Sequence, residues 1–310
     1  MRVFVAGATG AIGRQLVPRL IDAGHEVHAM TRSESKRPLL EEQGAVPVVA
    51  DALDADQVAE AVARARPEVI VHELTAIPES PDMRHVEREF ALTNRLRTEG
   101  TDHLLSAGQA VGVKRFVAQS NIAGYTMTGN MVKSEEDPFA DDPDAPAQTN
   151  VAAIRHLEEA VLGATWTEGI VLRYGWFYGP GTSMGPGTEI YEMVRKRKFP
   201  LVGDGGAVWS FIHIADAADA TVAAVERGER GVYNVVDDEP AKVAEWLPVL
   251  AAQLGAKRPR RVPRFLGRLF AGEFAVLMMT ELRGASNAKA RRELAWRPAH
   301  PSWREGLAAA

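Results

Sequence analysis

The sequence of 310 residues contains no cysteine. This absence excludes disulfide bonds, thiolate nucleophiles and cysteine-ligated metal centres, and it favours a reducing compartment. Long hydrophobic runs are also absent, since no apolar segment approaches the roughly 18 residues that a membrane span requires. No signal peptide precedes the first strand pattern. We therefore expect a cytoplasmic protein with no membrane partner.

The sequence also lacks an excess of positive charge. It has 36 Lys and Arg against 41 Asp and Glu, so that its formal net charge is −5. A nucleic-acid surface normally requires a basic excess. We expect no nucleic-acid partner, and we interpret the six basic residues within 257–268 as a solvated linker.

A glycine-rich turn stands near the start of the chain. The apolar run 3–6 is followed by the turn 7–13 and then by an amphipathic segment. In such a strand, turn and helix, backbone N–H groups and the helix dipole bind a pyrophosphate. A second strand pattern at 25–30 completes a βαβ unit of about 30 residues. We predict a dinucleotide site at Gly7, Thr9, Gly10, Ala11, Ile12 and Gly13.

Strand and helix patterns then alternate along the chain. Further strands are predicted at 46–50, 69–72, 115–118 and 169–173, and helices at 57–66, 83–111 (long or broken) and 149–162. Repeated βα units with short apolar strands are typical of a parallel sheet covered on both faces. The prediction is an α/β protein with a doubly wound parallel sheet, a Rossmann fold.

The pattern changes after Arg173, where the glycine-rich segment 175–187 begins. Helices are predicted at 189–198, 215–227, 241–254 and 264–284, and strands at 208–214 and 232–236. We predict that 1–174 forms the dinucleotide-binding domain and that 211–236 returns to it. Residues 175–210 and 237–310 would form a smaller, sequence-interleaved C-terminal substrate lobe.

Ordered motifs cover nearly the whole chain, at 7–13, 51–53, 94, 115–120, 172–180, 211–216, 232–235 and 294–298. Through them the chain resembles the extended short-chain dehydrogenases/reductases, the branch of nucleotide-sugar epimerases and dehydratases, and especially its atypical members. The resemblance implies a homodimer through helices at 94–110 and 149–162. It also implies cofactor contacts at Asp51, Ala52, Leu53, Leu74, Thr75, Ala76, Asn94, Tyr174, Gly175 and Phe177.

The end of the second strand lacks an acid. A carboxylate there would bind a ribose 2′-hydroxyl, whereas this chain has Arg32, with Ser33, Lys36 and Arg37 close behind. A guanidinium with neighbouring hydroxyls suits a 2′-phosphate. We therefore favour NADP(H) over NAD(H), the alternative being that Arg32 is only solvated.

The Tyr-x-x-x-Lys pair of the family's usual site is absent from the whole sequence. Matching Glu159 to the family's helix glutamate places Val151 at the tyrosine position and Arg155 at the lysine position. We predict that Tyr125 is the substitute acid, although it aligns with a tyrosine that is usually structural. Ser120 and Asn121 would polarise a carbonyl and Arg155 would anchor the ribose, with Lys133 a lesser candidate acid.

The substrate pocket is predicted to be aromatic. Trp209 stands where nucleotide-sugar enzymes commonly carry an arginine for the diphosphate, and Trp176 and Tyr178 lie close to the predicted pocket. An apolar lining with few polar groups suits a small organic ligand. The alternative is that these rings fill the core of the smaller lobe.

Two classes of function remain open. We favour an NADP-dependent oxidoreductase acting on a small, non-nucleotide, hydrophobic carbonyl or alcohol. The alternative is a non-redox NADP(H)-binding sensor, isomerase or cyclase, and a nucleotide-sugar epimerase is least favoured. No metal site is predicted, because the eight histidines form no recognisable ligand pattern and the acidic segment with Asp141, Asp142 and Asp144 is typical of solvated surface.

Overall fold

The structure is a computed structural model that describes residues 1–78, 80–141 and 146–309. Asp142 and Asp144 of the acidic segment lie outside these residues. The strands of the described ranges are, in chain order, β1 Arg2–Ala6, β2 Glu26–Thr31, β3 Val46–Val49, β4 Val69–His72, β5 Arg115–Asn121, β6 Val132–Lys133, β7 Glu168–Tyr174, β8 Trp176–Tyr178, β9 Leu201–Val202, β10 Val208–Trp209, β11 Phe211–His213, β12 Gly231–Val235, β13 Ala241–Lys242, β14 Arg261–Val262 and β15 Gly284–Ala285.

The helices follow the same alternation. They are α1 Ala11–Asp22, α2 Arg37–Glu42, α3 Ala55–Ala65, α4 Val86–Glu89, α5 Ala91–Arg97, α6 Glu99–Val111, α7 Gln148–Gly163, α8 Glu189–Arg195, α9 Ile214–Arg227, α10 Val243–Gln253, α11 Arg264–Thr280, α12 Ala288–Glu293 and α13 Trp303–Ala309. Within the described ranges none of these helices has both the length and the apolar character to cross a bilayer.

Seven strands form one sheet in the order β12-β7-β5-β4-β1-β2-β3. Every neighbouring pair in this sheet is parallel. Helices α1 and α9 pack on one face, and α3, α6 and α7 pack on the other. This confirms the predicted doubly wound Rossmann fold, in which β12 is an edge strand of the main sheet.

The carboxyl ends of the seven parallel strands meet at one edge of the sheet. The glycine turn follows β1 at this edge, and the segments after β4, β5 and β7 lie beside it. Ligands of open α/β sheets bind outside this edge. The fold therefore brings the predicted site segments to one side of the molecule.

A second core lies beside the sheet and is rich in aromatic rings. Tyr178, Trp209, Phe211, Trp246 and Trp303 are all buried in it. Side chains alternate along β11, so that Phe211 belongs to this second core while Ile212 belongs to the core under the sheet. Strand β11 thus joins the two cores, and the predicted domain boundaries stay a prediction.

The long helix predicted at 83–111 is broken. A 3₁₀ turn, Met83–His85, precedes α4, and the backbone leaves helical geometry at Thr98, between α5 and α6. The Thr98 hydroxyl donates to the carbonyl oxygens of Asn94, at 3.0 Å, and Arg95, at 3.4 Å. Such back-bonding by a β-branched hydroxyl residue bends helices.

Candidate cofactor and substrate site

The turn after β1 requires its glycines. Gly7 has φ of +95°, and a Cβ there would lie 2.7 Å from the carbonyl oxygen of Glu73. A Cβ on Gly13 would lie 2.4 Å from the carbonyl oxygens of Gly7 and Ala8. Only glycine therefore lets the strand, the turn and α1 approach each other this closely.

The amino terminus of α1 offers an anion site. Its N-cap residue is Gly10, no side chain caps the helix, and the first turn contains no acid. Thr9, Gly10 and Ala11 are accessible, whereas Ile12 and Gly13 are buried beneath them. Free backbone N–H groups and the helix dipole at an accessible turn fit the pyrophosphate of a dinucleotide.

The predicted adenosine end carries an exposed cation. Arg32 directly follows β2, and it has no ion-pair partner among the described residues, whereas Arg37 is paired with Glu34 at 2.7 Å. Around 51–53, an Asp51 carboxylate oxygen accepts the Leu53 N–H at 3.0 Å. Asp51 thus orders the turn that would face the adenine.

The segment after β4 is held by a buried histidine. His72 Nδ1 accepts the Leu74 N–H at 3.2 Å, so Nε2 carries the proton and donates to Thr101 Oγ1 at 3.0 Å. Burial lowers the pKa of His72 to about 4. Thr93 Oγ1 accepts the Ala76 N–H at 3.0 Å. His72 is therefore a neutral residue that positions the segment 74–76.

Glu73 is a buried acid beside the glycine turn. Tyr174 donates to Glu73 Oε1 at 3.1 Å and also contacts the Thr221 hydroxyl at 2.6 Å. The second carboxyl oxygen, Oε2, is buried without a partner among the described residues. Burial raises the pKa of Glu73 to about 8. The Tyr174 side chain consequently lies in the core behind the sheet edge.

The raised pKa of Glu73 gives stability a defined pH dependence. An unfolded glutamate has a pKa near 4.3, so from there to about pH 8 the folded protein binds more protons than the unfolded chain. Stability contributed at this site therefore falls as pH rises, by at most about 1.4 kcal/mol per pH unit. We expect Glu73→Gln to gain stability relative to the parent across this range.

Urea unfolding of both proteins between about pH 5 and about pH 8 checks this expectation, because linear extrapolation gives a free energy of unfolding at each pH. Asp237, whose pKa burial also raises to about 8, is present in both proteins and cancels in the difference. A difference between parent and variant that does not change with pH would contradict the buried, protonated state of Glu73.

A buried network encloses Tyr125. Arg173 donates to Glu158 through Nε at 2.9 Å and Nη2 at 2.6 Å, and through Nη1 to the Tyr125 hydroxyl at 2.8 Å. Tyr125 donates to Asn234 Oδ1 at 2.8 Å, and Ser120 donates to Glu158 at 2.5 Å. Burial raises the pKa of Tyr125 to about 12. The prediction that Tyr125 is the proton donor finds no support in this geometry.

The other predicted catalytic residues also have local partners. Asn121 Oδ1 accepts the Ala123 N–H, which caps the turn after β5. Arg155 donates to the carbonyl oxygen of Ala140 at 2.7 Å and to Asp141 at 3.2 Å. Lys133 is buried and donates to the Thr128 carbonyl at 2.7 Å. In this structure Arg155 therefore binds the neighbouring loop, and its predicted ribose contact finds no support.

Two adjacent glutamates of α7 differ in burial, which bears on the match that the sequence analysis made through Glu159. Glu158 is buried against Arg173, whereas Glu159 is exposed. Matching the helix glutamate to Glu158 moves the tyrosine position from Val151 to Asn150 and the lysine position from Arg155 to Ile154. Both are buried on the inner face of α7. An amide and a hydrocarbon thus occupy the two positions, and neither supplies a proton.

Arg97 was missed in the sequence. Its side chain is 4% exposed, and Nη1 donates to Asn150 Oδ1 at 2.5 Å. Its spacing in the sequence could have identified Arg97 as buried. Four buried residues recur there at helical intervals, namely Thr93, Arg97, Thr101 and Leu104. A charged residue within that buried stripe marks a polar contact inside the protein.

The aromatic residues predicted to line the substrate pocket differ in their burial. Trp176 is half-buried and stacks on Trp209 with 4.5 Å between ring centroids. Trp209 donates its indole N–H to the Met278 carbonyl oxygen at 2.7 Å, while the buried Trp176 Nε1 has no partner among the described residues. Tyr178 is fully buried against Phe211. Of Trp176, Trp209 and Tyr178, Trp176 is accordingly the predicted substrate contact that keeps partial exposure.

Folding assembles one polar cluster that the sequence does not reveal. His213, Asp216 and His300 come together, with their ligand-type atoms within 4.8 Å of one another. The Asp216 carboxylate accepts the backbone N–H groups of Ala299 and His300, each at 2.9 Å. These contacts fasten the segment before α13 to the amino terminus of α9.

The predicted dimer helices bury much of their apolar surface within the chain. Ile154, Leu157 and Val161 face the sheet, whereas Val151 and Leu162 keep partial exposure. Less apolar surface is thus free for a partner than the sequence indicated. The homodimer and the cytoplasmic location stay predictions.

Comparison with known proteins identifies the family of this chain. The model of the NAD dependent epimerase/dehydratase family matches residues 3–236. A 3-diazoavenalumate denitrifying reductase from a Streptomyces species is 46% identical over 308 residues, 99% of each chain. A 2-alkyl-3-oxoalkanoate reductase from Stenotrophomonas maltophilia is 27% identical over 316 residues, 98% of this chain and 91% of that one.

A solved structure agrees with these relatives. Thermus thermophilus UDP-glucose 4-epimerase in complex with NAD has a TM-score of 0.74 at 25% identity, covering 99% of this chain and 97% of that chain. The glycine turn described above fits the same kind of cofactor. The chain therefore belongs to the NAD dependent epimerase/dehydratase family and is an NAD(P)-dependent oxidoreductase of the short-chain dehydrogenase/reductase type.

Proposed function

We propose that the chain is an NADPH-dependent reductase of a small, non-nucleotide aromatic carboxylate, and that it removes a diazo group from this substrate as dinitrogen. The support is the combination of a site in which no described tyrosine hydroxyl is both free and accessible and a relative, 46% identical over 99% of both chains, whose name describes the denitrification of a diazo carboxylate. The absence of a free, accessible tyrosine hydroxyl among the described residues carries the proposal.

None of the five tyrosines presents a free hydroxyl at the sheet edge. Four hydroxyls donate to protein acceptors, namely those of Tyr125, Tyr174, Tyr191 and Tyr233. The fifth, that of Tyr178, is fully buried in the second core. Reduction of a carbonyl produces an alkoxide that a positioned acid normally protonates. This site suits an acceptor that needs no such acid.

A diazonium group is such an acceptor. When bound, the reduced nicotinamide supplies a hydride. In the net reaction the carbon–nitrogen bond breaks with its electron pair leaving in dinitrogen, and the incoming pair forms a carbon–hydrogen bond. The diazonium ion and the hydride are thus converted into the arene and dinitrogen. All atoms and electrons are accounted for, and no proton is consumed.

The chain's own residues bind and orient the reactants. The turn at Gly7, Gly10 and Gly13 would hold the pyrophosphate, and Arg32 would bind the 2′-phosphate. The partly exposed Trp176, backed by Trp209, would stack on the aromatic substrate. Asn150 stands at the position that the Glu158 match assigns to the family's tyrosine. A neutral amide would therefore lie beside the reacting centre in place of an ionisable hydroxyl.

A matched set of substrates tests this proposal. The same hydroxycinnamate carrying a diazonium, a ketone or an aldehyde group is incubated with protein and NADPH, and oxidation of NADPH is followed against a protein-free control. We expect enzyme-dependent oxidation with the diazonium compound and at least about hundredfold slower oxidation with the carbonyl compounds. Faster reduction of the carbonyls would overturn the proposal, and no oxidation with any of them would favour the non-redox alternative.

Cofactor preference is expected to depend on Arg32. The exposed guanidinium, which has no ion-pair partner in the part of the chain that the structure describes, suits a 2′-phosphate, so NADPH should bind more tightly than NADH. Arg32→Asp should weaken NADPH binding about tenfold to hundredfold by removing a charge-assisted hydrogen bond. Calorimetric titration of both cofactors measures this. Arg64→Asp, the same charge change on α3, is the control, and equal affinities of the parent for NADPH and NADH would refute the assignment.

A further inference from the structure

Arg97 is a cation buried at the end of α5. Its side chain is 4% exposed, and its one recorded side-chain hydrogen bond runs from Nη1 to Asn150 Oδ1 at 2.5 Å. Burial lowers the pKa of Arg97 to about 10, so it stays charged at neutral pH. A full positive charge is thus held in the interior by a neutral amide.

No carboxylate among the described residues pairs with this charge. Glu158, the buried acid of α7, is fully engaged by Arg173 and Ser120. A buried charge without a counter-ion is costly, and buried arginines are normally paired. The guanidinium has five N–H donors in a planar fork, of which the amide uses one. Among the described residues, the buried Arg97 guanidinium therefore lacks an anion as its partner.

Arg97 lies at the edge of the sheet where ligands bind. Its contact Asn150 stands in the first turn of α7, at the position that the match of Glu158 to the family's helix glutamate assigns to the tyrosine. His72, the last residue of β4, lies close enough that the Arg97 charge adds to burial in lowering its pKa. The missing anion would therefore be beside the reacting centre.

We propose that Arg97 binds the carboxylate of the substrate, with Asn150 holding the guanidinium in the required orientation. The chemical class of this anion rests on the proposed function, whereas the unpaired buried cation does not. A planar fork binds a carboxylate through two parallel N–H···O bonds, which fixes the orientation of the ligand as well as its charge. Arg97 thus determines specificity for acids over their esters.

Ligand binding without turnover tests this proposal. The probes are para-hydroxycinnamate, which has no diazo group, and its methyl ester, each titrated into the full chain in the presence of NADP⁺. We expect the acid to bind at least about tenfold more tightly than the ester, and Arg97→Gln to remove this difference while NADP⁺ affinity stays within about twofold. Arg95→Gln, on the exposed face of the same helix, is the control and should leave all three affinities unchanged.

Other results overturn the proposal. A loss of NADP⁺ affinity in Arg97→Gln with no loss for the acid would show that the anion is a cofactor phosphate. Equal binding of acid and ester by the parent would show that no carboxylate is recognised. Because the probe is not reduced, failure of the diazonium reaction leaves this test intact, and failure here leaves the reductase proposal intact.

Thermal unfolding gives a second measurement. Removing an uncompensated buried charge should raise the melting temperature of the ligand-free protein, as expected where a binding site is kept at the expense of stability. The acid should raise the melting temperature of the parent and not that of Arg97→Gln. A variant that unfolds well below the parent would assign Arg97 a structural role and contradict the proposal.

Discussion

Arg173→Met is expected to lower the free energy of unfolding by about 3 to 5 kcal/mol, the cost of breaking a buried ion pair by removing one partner. The methionine would leave the Glu158 carboxylate buried without its guanidinium and would also remove a donor from the Tyr125 hydroxyl. Urea unfolding followed by circular dichroism measures the loss.

Two variants control this measurement. Arg95→Met breaks an exposed pair with Glu99 and should cost no more than about 1 kcal/mol. Arg173→Met combined with Glu158→Leu removes both buried charges and should recover part of the loss. A cost for Arg173→Met as small as that of the exposed pair would contradict the role of this network.

Gly13→Ala is expected to weaken dinucleotide binding about tenfold to hundredfold. The new Cβ would lie 2.4 Å from the carbonyl oxygens of Gly7 and Ala8, so α1 must move away from the turn that would hold the pyrophosphate. Overpacking of this kind costs about 1 to 3 kcal/mol. Titration with NADPH measures the affinity.

Gly163→Ala is the matched control, because it is the same chemical change at a helix end where a Cβ meets nothing within 4 Å. It should leave both NADPH affinity and melting temperature unchanged. If Gly13→Ala lowers the melting temperature, titration well below that temperature separates loss of binding from loss of folding. Unchanged NADPH affinity in folded Gly13→Ala would remove the turn from the cofactor site.

The sequence predicted most of the fold because the relevant signals are local. Short apolar strands, glycine turns and helical periodicity fix the order of the βα units, and the sheet order follows from them. A broken helix was one of the two expectations for 83–111, but the position of the break at Thr98 was not predicted, because a hydroxyl bonding to carbonyls of the preceding turn leaves no pattern in the sequence. The contact between His213 and His300 likewise was not predicted, because the two residues are far apart in the sequence.

The surroundings of the predicted catalytic residues were harder to predict than the strand, turn and helix at the start of the chain. Glu158 and Glu159 are adjacent, and only the phase of α7 against the sheet distinguishes the buried acid from the exposed one. Tyr125 follows the correct strand, yet its hydroxyl is engaged by Arg173 and Asn234, which lie far away in sequence. Partners of buried polar groups come from tertiary packing, which no local pattern reports.

The ratio of dinitrogen released to NADPH oxidised tests the central claim most directly. The parent protein is given an aromatic diazonium carboxylate under argon, and both quantities are measured in one sealed vessel against a protein-free control. Reduction without a proton from the protein predicts one dinitrogen for each NADPH, and the same ratio for Tyr125→Phe. NADPH oxidation without dinitrogen, or loss of the reaction in a folded Tyr125→Phe, would contradict it.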